Sequence, residues 1–342
     1  MIEDGAAVPQ PSDLRVTTLV RRERRVPERG AEAERQRDAR ARDERWGPPR
    51  GPIDTRTAVV AGVSFAVALA AAVLLLGLAL TPDRYLFVLL VPALLLGCGR
   101  RYLLDFAPYA ALILLYGEAR GLAHVLHPHP YYLLPLDAER FLFGGHVPSV
   151  DLQHWLWSGT RAWYDDVLLF ITRIHSIVPT TFAFALWLRR RALFYRFAAT
   201  MLALSFGAAL VFWLFPAAPP WAAGEAGLID AVKIGGSHFG SSPILPGVPF
   251  LADLVQGNQY AAIPSLHAGY ACVVFLFAAQ LAWSSRRRWL IVALAALYPA
   301  LQSFAAVYTG NHYVVDVLAG YACSAAAFFA VRWLWRGRRW PA

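Results

Sequence analysis

Hydrophobic residues along this chain gather into eight runs, near 57–80, 85–99, 103–125, 166–188, 194–215, 263–283, 289–308 and 312–335. Most approach the roughly 20 residues that a helix needs to cross a bilayer. The pattern therefore predicts eight membrane helices, the second of them short enough to be a tilted or incomplete crossing. Arginine clusters at 100–101, 189–191, 286–288 and 336–339 fall at alternate ends of these runs. With the N-terminus inside, all four lie on the cytoplasmic side, as the positive-inside rule requires. The expected arrangement is an integral plasma membrane protein with both termini cytoplasmic. Two long connections, about 126–165 and 216–262, then lie outside.

The polar stretches differ in kind. Residues 1–55 carry RRERR, ERQRDARARDER and WGPPRGP, mixing both charge signs with few apolar residues. Such a segment buries too little apolar surface to offset its ordering entropy, so a disordered, arginine-rich cytoplasmic tail is expected ahead of a helical membrane domain over 56–342. The tail has neither the apolar core nor the small-residue cleavage site of a signal peptide. The first outer connection is rich in Trp, Tyr and Phe and suits short amphipathic helices lying in the interface. In the second, FPAAPPW and a glycine-rich stretch exclude a continuous helix.

Composition agrees with this division. Of 342 residues, 57% are hydrophobic and 16% charged, against about 25% charged in an ordinary soluble domain. The formal charge of +9 does not point to nucleic acid, because the basic residues beyond the tail flank the apolar runs where topology alone places them. Cys98, Cys272 and Cys323 all lie in apolar runs without ligand spacing, so neither a disulfide framework nor a zinc site is expected. His124, His127, His129, His146 and His154 show no regular ligand spacing either, and no metal or other cofactor is expected.

Candidate chemistry concentrates at one depth. His267 opens the sixth run and His312 the eighth, with Asp316 four residues after His312. In a helix that spacing puts both on one face, about 6 Å apart along the axis. A carboxylate bonded to one ring nitrogen leaves the other as a basic nucleophile. Ser265 and His267 stand near a helix N-terminus, where backbone N–H groups favour an anion such as phosphate. Glu118 and Arg120 near the outer end of the third run, and Arg173 and His175 in the fourth, lie at similar depth. Charged groups inside a span are costly and normally face the bundle interior or a water-filled cavity. A carrier or another non-catalytic lipid-binding protein could also use such a cluster, but has no need of an oriented nucleophile.

AAIPSLHAGY and VYTGNHYVVDVLAGY resemble the second and third signature blocks of the type 2 phosphatidic acid phosphatase superfamily. They are most similar to its inositol phosphotransferase branch, the relatives of inositol phosphorylceramide synthase. FPAAPPW and the W-L-R-R-R segment are also in the style of that family, and the resemblance extends over about residues 100–335. It implies an all-α, polytopic membrane bundle of about eight spans, six of which form the phosphatase-like core. It further implies that His312 attacks phosphorus to give a phosphohistidine. Asp316 would orient His312, His267 would act as general acid and base, and Ser265 would help hold phosphate oxygens.

The chain departs from the family pattern in its cations. No K-x6-R-P block is present, and Ala305 and Ala306 stand where S-R usually precedes the third-block histidine. Arg120, Arg173 and, from the loop, Lys233 are the replacement candidates, with His175 a further substrate-pocket residue. The implied function is transfer of a phosphorylated head group, such as inositol phosphate, from a phospholipid donor to a lipid alcohol at the extracytoplasmic face. A lipid phosphatase differs only in using water as acceptor.

Overall fold

A computed structural model of the protein describes residues 82–126, 129–235 and 261–336, together with five residues between 60 and 67. The tail, most of the first apolar run and residues 236–260 of the second connection lie outside the described residues. The helices are α1 (Pro82–Leu95), α2 (Gly99–Leu126), α3 (Leu133–Leu142), α4 (Pro148–Leu156), α5 (Trp163–Arg173) and α6 (Ile177–Arg189). They continue with α7 (Arg191–Leu214), α8 (Pro220–Glu225), α9 (Leu266–Ala282), α10 (Arg288–Tyr308) and α11 (Val314–Leu334).

The described residues form an all-α bundle. Among them α7, α10 and α11 are long and apolar enough to cross a membrane, and α5 with α6 adds a fourth candidate if the bent pair is one span. Helix α9 is apolar but 17 residues long, and α2 extends over 28 residues while carrying several charges. The first long connection contains the short helices α3 and α4, as its composition leads one to expect, and the second is not one continuous helix but contains the short α8.

The fourth apolar run departs from the single continuous helix expected for it. It is two helices, α5 and α6, meeting at 48°. Pro179 stands in the first turn of α6. In an unbroken helix its ring would collide with the carbonyl of His175, four residues earlier. The break instead exposes the Thr172 carbonyl, which accepts a hydrogen bond from His175 Nδ1 at 2.7 Å and one from Gln302 Nε2 of α10 at 3.4 Å. His175 thus sits at a corner inside the bundle, not along a helix face.

Close approach of α9 and α11 sets the scaffold of the site. Gly320 lies against the Ser265 carbonyl, and a Cβ added there would come within 2.3 Å of that oxygen. Ser265 N–H donates to the Asp316 carbonyl at 2.9 Å, and Ser324 Oγ donates to the Gly269 carbonyl at 2.9 Å. Small residues therefore let the two helices touch backbone to backbone, which brings the residues opening each of them together. Farther along the bundle, Tyr102, Phe106, Phe184, Trp187 and Phe194 form an aromatic core, with Tyr102 and Phe106 stacked at 4.3 Å.

Candidate active site

His312 and Asp316 do not share the helix face that their four-residue interval predicts: His312 lies outside α11, ahead of the N-cap Tyr313, and only Asp316 is in that helix's first turn. Asp316 is fully buried and His312 nearly so. Asp316 Oδ2 accepts from Tyr313 N–H at 2.8 Å and lies 3.4 Å from His312 Nδ1. A carboxylate can only accept here, so Nδ1 carries the proton and Nε2 is left with its lone pair. His312 Nε2 faces His267 Nδ1 at 3.1 Å. With Nε2 of His312 as acceptor, His267 donates from Nδ1. The order Asp316, His312, His267 therefore forms one directed hydrogen-bonded line.

His175 extends the cluster. Its ring centroid is 4.3 Å from that of His267. Donation from its Nδ1 to Thr172 leaves its Nε2 as the acceptor nitrogen. Arg120, on α2, is close enough to act electrostatically on both His175 and His267. Its Nε is buried with no hydrogen-bond partner, and the buried Tyr116 hydroxyl lies close to both Arg120 and Tyr270. The second oxygen of Asp316, Oδ1, is likewise buried and unpartnered. Orphaned polar atoms inside a protein call for an explanation, and a polar ligand or water that belongs among them is one.

The remaining predicted residues occupy different places. Ser265 is fully buried, and its Oγ caps α9 by accepting from Ala268 N–H at 3.4 Å. Arg173 is exposed at the end of α5, two residues before His175. Lys233 is half-buried in the connection after α8, with its Nζ 4.3 Å from the centroid of the Trp221 ring. Burial holds its ammonium pKa below the ordinary value, opposed in part by Glu225.

Two side chains that sequence reasoning overlooked hold this assembly. Gln153 of α4 donates from Nε2 to the carbonyls of Val232 and Tyr308, both at 2.9 Å, and accepts from Val232 N–H at 2.9 Å. It thereby latches the Lys233 segment to the turn before His312. That turn needs Gly310, at φ +76°, where a Cβ would come within 2.5 Å of the Val232 carbonyl. Trp221 of FPAAPPW donates its backbone N–H to the Gly310 carbonyl at 3.1 Å. Glu139 of α3, fully buried, accepts from Val314 N–H at 3.0 Å and Val315 N–H at 2.9 Å. Burial raises its carboxyl pKa, the two N–H bonds oppose that, and nearby Asp316 adds to the rise. Leu136 and Glu139, and Ser149 and Gln153, are three and four residues apart on the buried faces of otherwise ordinary short helices.

Residues 136–330 match the PAP2 superfamily. The chain belongs to that superfamily. The matched region contains Glu139, His175, Lys233, Ser265, His267, His312 and Asp316, while Arg120 lies outside it. This PAP2 chain is also 31% identical over 153 residues to a phosphoinositol dihydroceramide synthase of Bacteroides thetaiotaomicron. That alignment covers 43% of this chain and 48% of the relative, so about half the relative's length is matched. No solved structure is significantly similar to the chain.

Proposed function

We propose that this PAP2 protein is a lipid phosphotransferase that carries the transferred group on His312. The observation that carries this reading is the line Asp316–His312–His267, which leaves one basic imidazole nitrogen directly opposite one N–H donor. His312 Nε2 attacks the phosphorus of a phospholipid head group, and the bond from phosphorus to the lipid oxygen breaks. His267, entering this step as the imidazolium, passes its Nδ1 proton to that oxygen and is left neutral, and the lipid alcohol departs. An acceptor hydroxyl then attacks the phosphohistidine and gives its proton back to His267, and the N–P bond breaks. Asp316 holds the His312 proton on Nδ1 throughout and stabilises the cation formed on phosphorylation. General acid–base assistance of this kind is worth about 10²–10⁴-fold.

The two facing nitrogens are in hydrogen-bond contact, so phosphorus and its leaving oxygen enter by parting the His267 and His312 rings. Arg120 is the cation best placed beside the histidines to meet phosphate oxygens, and its unpartnered Nε supports that role. His175 borders His267, while Ser265 caps α9 and Lys233 stands over the Trp221 ring. The name of the Bacteroides relative favours inositol phosphate as the head group and a lipid alcohol as acceptor. The arginine clusters favour a site open to the extracytoplasmic leaflet.

The test is trapping of a phosphoenzyme from phosphatidylinositol labelled in its phosphate. The purified protein in lipid nanodiscs is expected to take up label, and His312→Ala to take up none. Unlabelled wild type, or label that survives His312→Ala, would sink the mechanism. Adding a lipid alcohol and separating products then tells transfer from hydrolysis, since a phosphatase releases soluble inositol phosphate regardless of the alcohol.

A further inference from the structure

The N-termini of α9 and α11 face the same site but are closed in different ways. At α9 a neutral hydroxyl, Ser265 Oγ, accepts a single N–H at 3.4 Å. At α11 two carboxylates share the work. Asp316 takes the N–H of Tyr313, and Glu139 takes those of Val314 and Val315. Three consecutive N–H groups next to His312 are thus bound to anions supplied by the protein, which leaves them no role as phosphate ligands. A carboxylate at a helix N-terminus is favoured by the helix dipole, yet Glu139 comes from a separate element, α3, about 175 residues earlier. Its burial in that place has a cost that two charge-assisted hydrogen bonds offset.

From this geometry we infer that Glu139 is a positioning residue for the nucleophile, holding the 312–315 backbone so that His312 Nε2 is aimed at the phosphorus site. The inference rests on the proposed role of His312. Asp316 and Glu139 together accept every N–H of residues 313–315, and His312 is attached directly to that stretch. Leu136, on the same face of α3, packs with Tyr313 in a small apolar cluster that Val147 completes. Helix α3 therefore grips the start of α11 by an apolar contact and by two hydrogen bonds to the Glu139 carboxylate. Without Glu139 the first turn of α11 is free to fray, and the imidazole loses its fixed approach. A misplacement of about 1 Å at a reacting group lowers rate by as much as about 10²-fold.

The experiment is single-turnover labelling with phosphate-labelled phosphatidylinositol, comparing wild type with Glu139→Gln and Glu139→Ala. Gln keeps one acceptor for Val314 but turns an NH2 donor toward the N–H of Val315. The labelling rate constant at saturating lipid is expected to fall about 10–100-fold, more for Ala than for Gln. The labelled fraction at the end point and the half-saturating lipid concentration are expected to stay near wild type. Backbone amide exchange in the peptide covering 312–317 is expected to speed up in the same variants. A lowered end point with an unchanged rate constant would mark mere loss of folded protein and overturn the inference, as would wild-type rates with unchanged exchange. Should Gln and Ala both fail to fold, Glu139→Asp keeps the charge one methylene short of its partners, and wild-type labelling kinetics in it would likewise overturn the inference. Wild-type protein that never labels would instead refute the phosphohistidine reading itself.

Discussion

At the Trp187 end of α6, the carboxylate of Asp105 gathers five hydrogen bonds. Arg191 donates from Nε and Nη2, each at 2.8 Å, Trp187 Nε1 at 2.7 Å, Tyr195 OH at 2.8 Å and Arg101 Nε at 3.3 Å. At the His175 end the polar groups are just as enclosed, but Asp316 Oδ1 and Arg120 Nε have no partner. Both clusters place ionisable residues where apolar side chains would be cheaper. They differ in whether the protein satisfies its own groups. The Asp105 cluster joins α2, α6 and α7 and leaves neither carboxylate oxygen idle, so it acts as a structural clasp. The histidine cluster keeps a donor and an acceptor in reserve, which is what a site awaiting a polar substrate requires.

The strongest way to test this contrast is to remove the proton carrier from the unsatisfied cluster. His267→Ala is expected to lower turnover by about 10²–10⁴-fold while leaving the unfolding midpoint close to wild type. A near-normal rate in that variant would place the acid–base group elsewhere. At the satisfied cluster the effects should be reversed. Asp105→Ala leaves the Arg191 cation without its buried partner and is expected to destabilise the bundle by about 3–5 kcal/mol. Molecules that remain folded should turn over at the wild-type rate, measured per folded protein in detergent. A fall in that rate would mean that the clasp reaches the chemistry.

The smallest effect sharpens the role of the unpartnered donor. Arg120→Ala is expected to lower kcat/KM by about 10–150-fold, the worth of one hydrogen bond to a charged group, and Arg120→Lys by less. The loss in kcat/KM should exceed any loss in stability, because the guanidinium Nε has no partner in the resting fold. If Arg120→Ala costs stability and spares kcat/KM, Arg120 belongs with the clasp and the phosphate is held by another cation.

Several features of the site are legible in the amino-acid sequence. The four-residue interval from His312 to Asp316 and the position of each histidine at the start of an apolar run are read directly from the chain, although the interval does not place both on one helix face. The bundle class is equally plain from the apolar runs. What escapes such reading is non-local or depends on a break in the pattern. The apolar run over 166–188 hides the 48° bend at its proline, because hydropathy does not register a carbonyl clash. Glu139 and Gln153 look like ordinary polar residues of surface helices, since their partners are backbone groups far along the chain. Arg173 and Lys233 carry the same charge as Arg120, but sequence position alone does not say which cation stands beside the histidines.

By itself, then, the sequence determined that this chain forms apolar helices, that Asp316 follows His312 by four residues where one of them begins, and that His267 opens another. Those are consequences of composition and local period, which act over a few residues. Only the tertiary structure decided that His267 donates to His312, that Glu139 and Asp316 close the N-terminus of α11, and that Arg120 stands close to the histidines with an Nε that has no partner. Hydrogen bonds reach about 3 Å, and which groups come within that reach depends on how α9 and α11 touch at Gly320 and where Pro179 turns the chain.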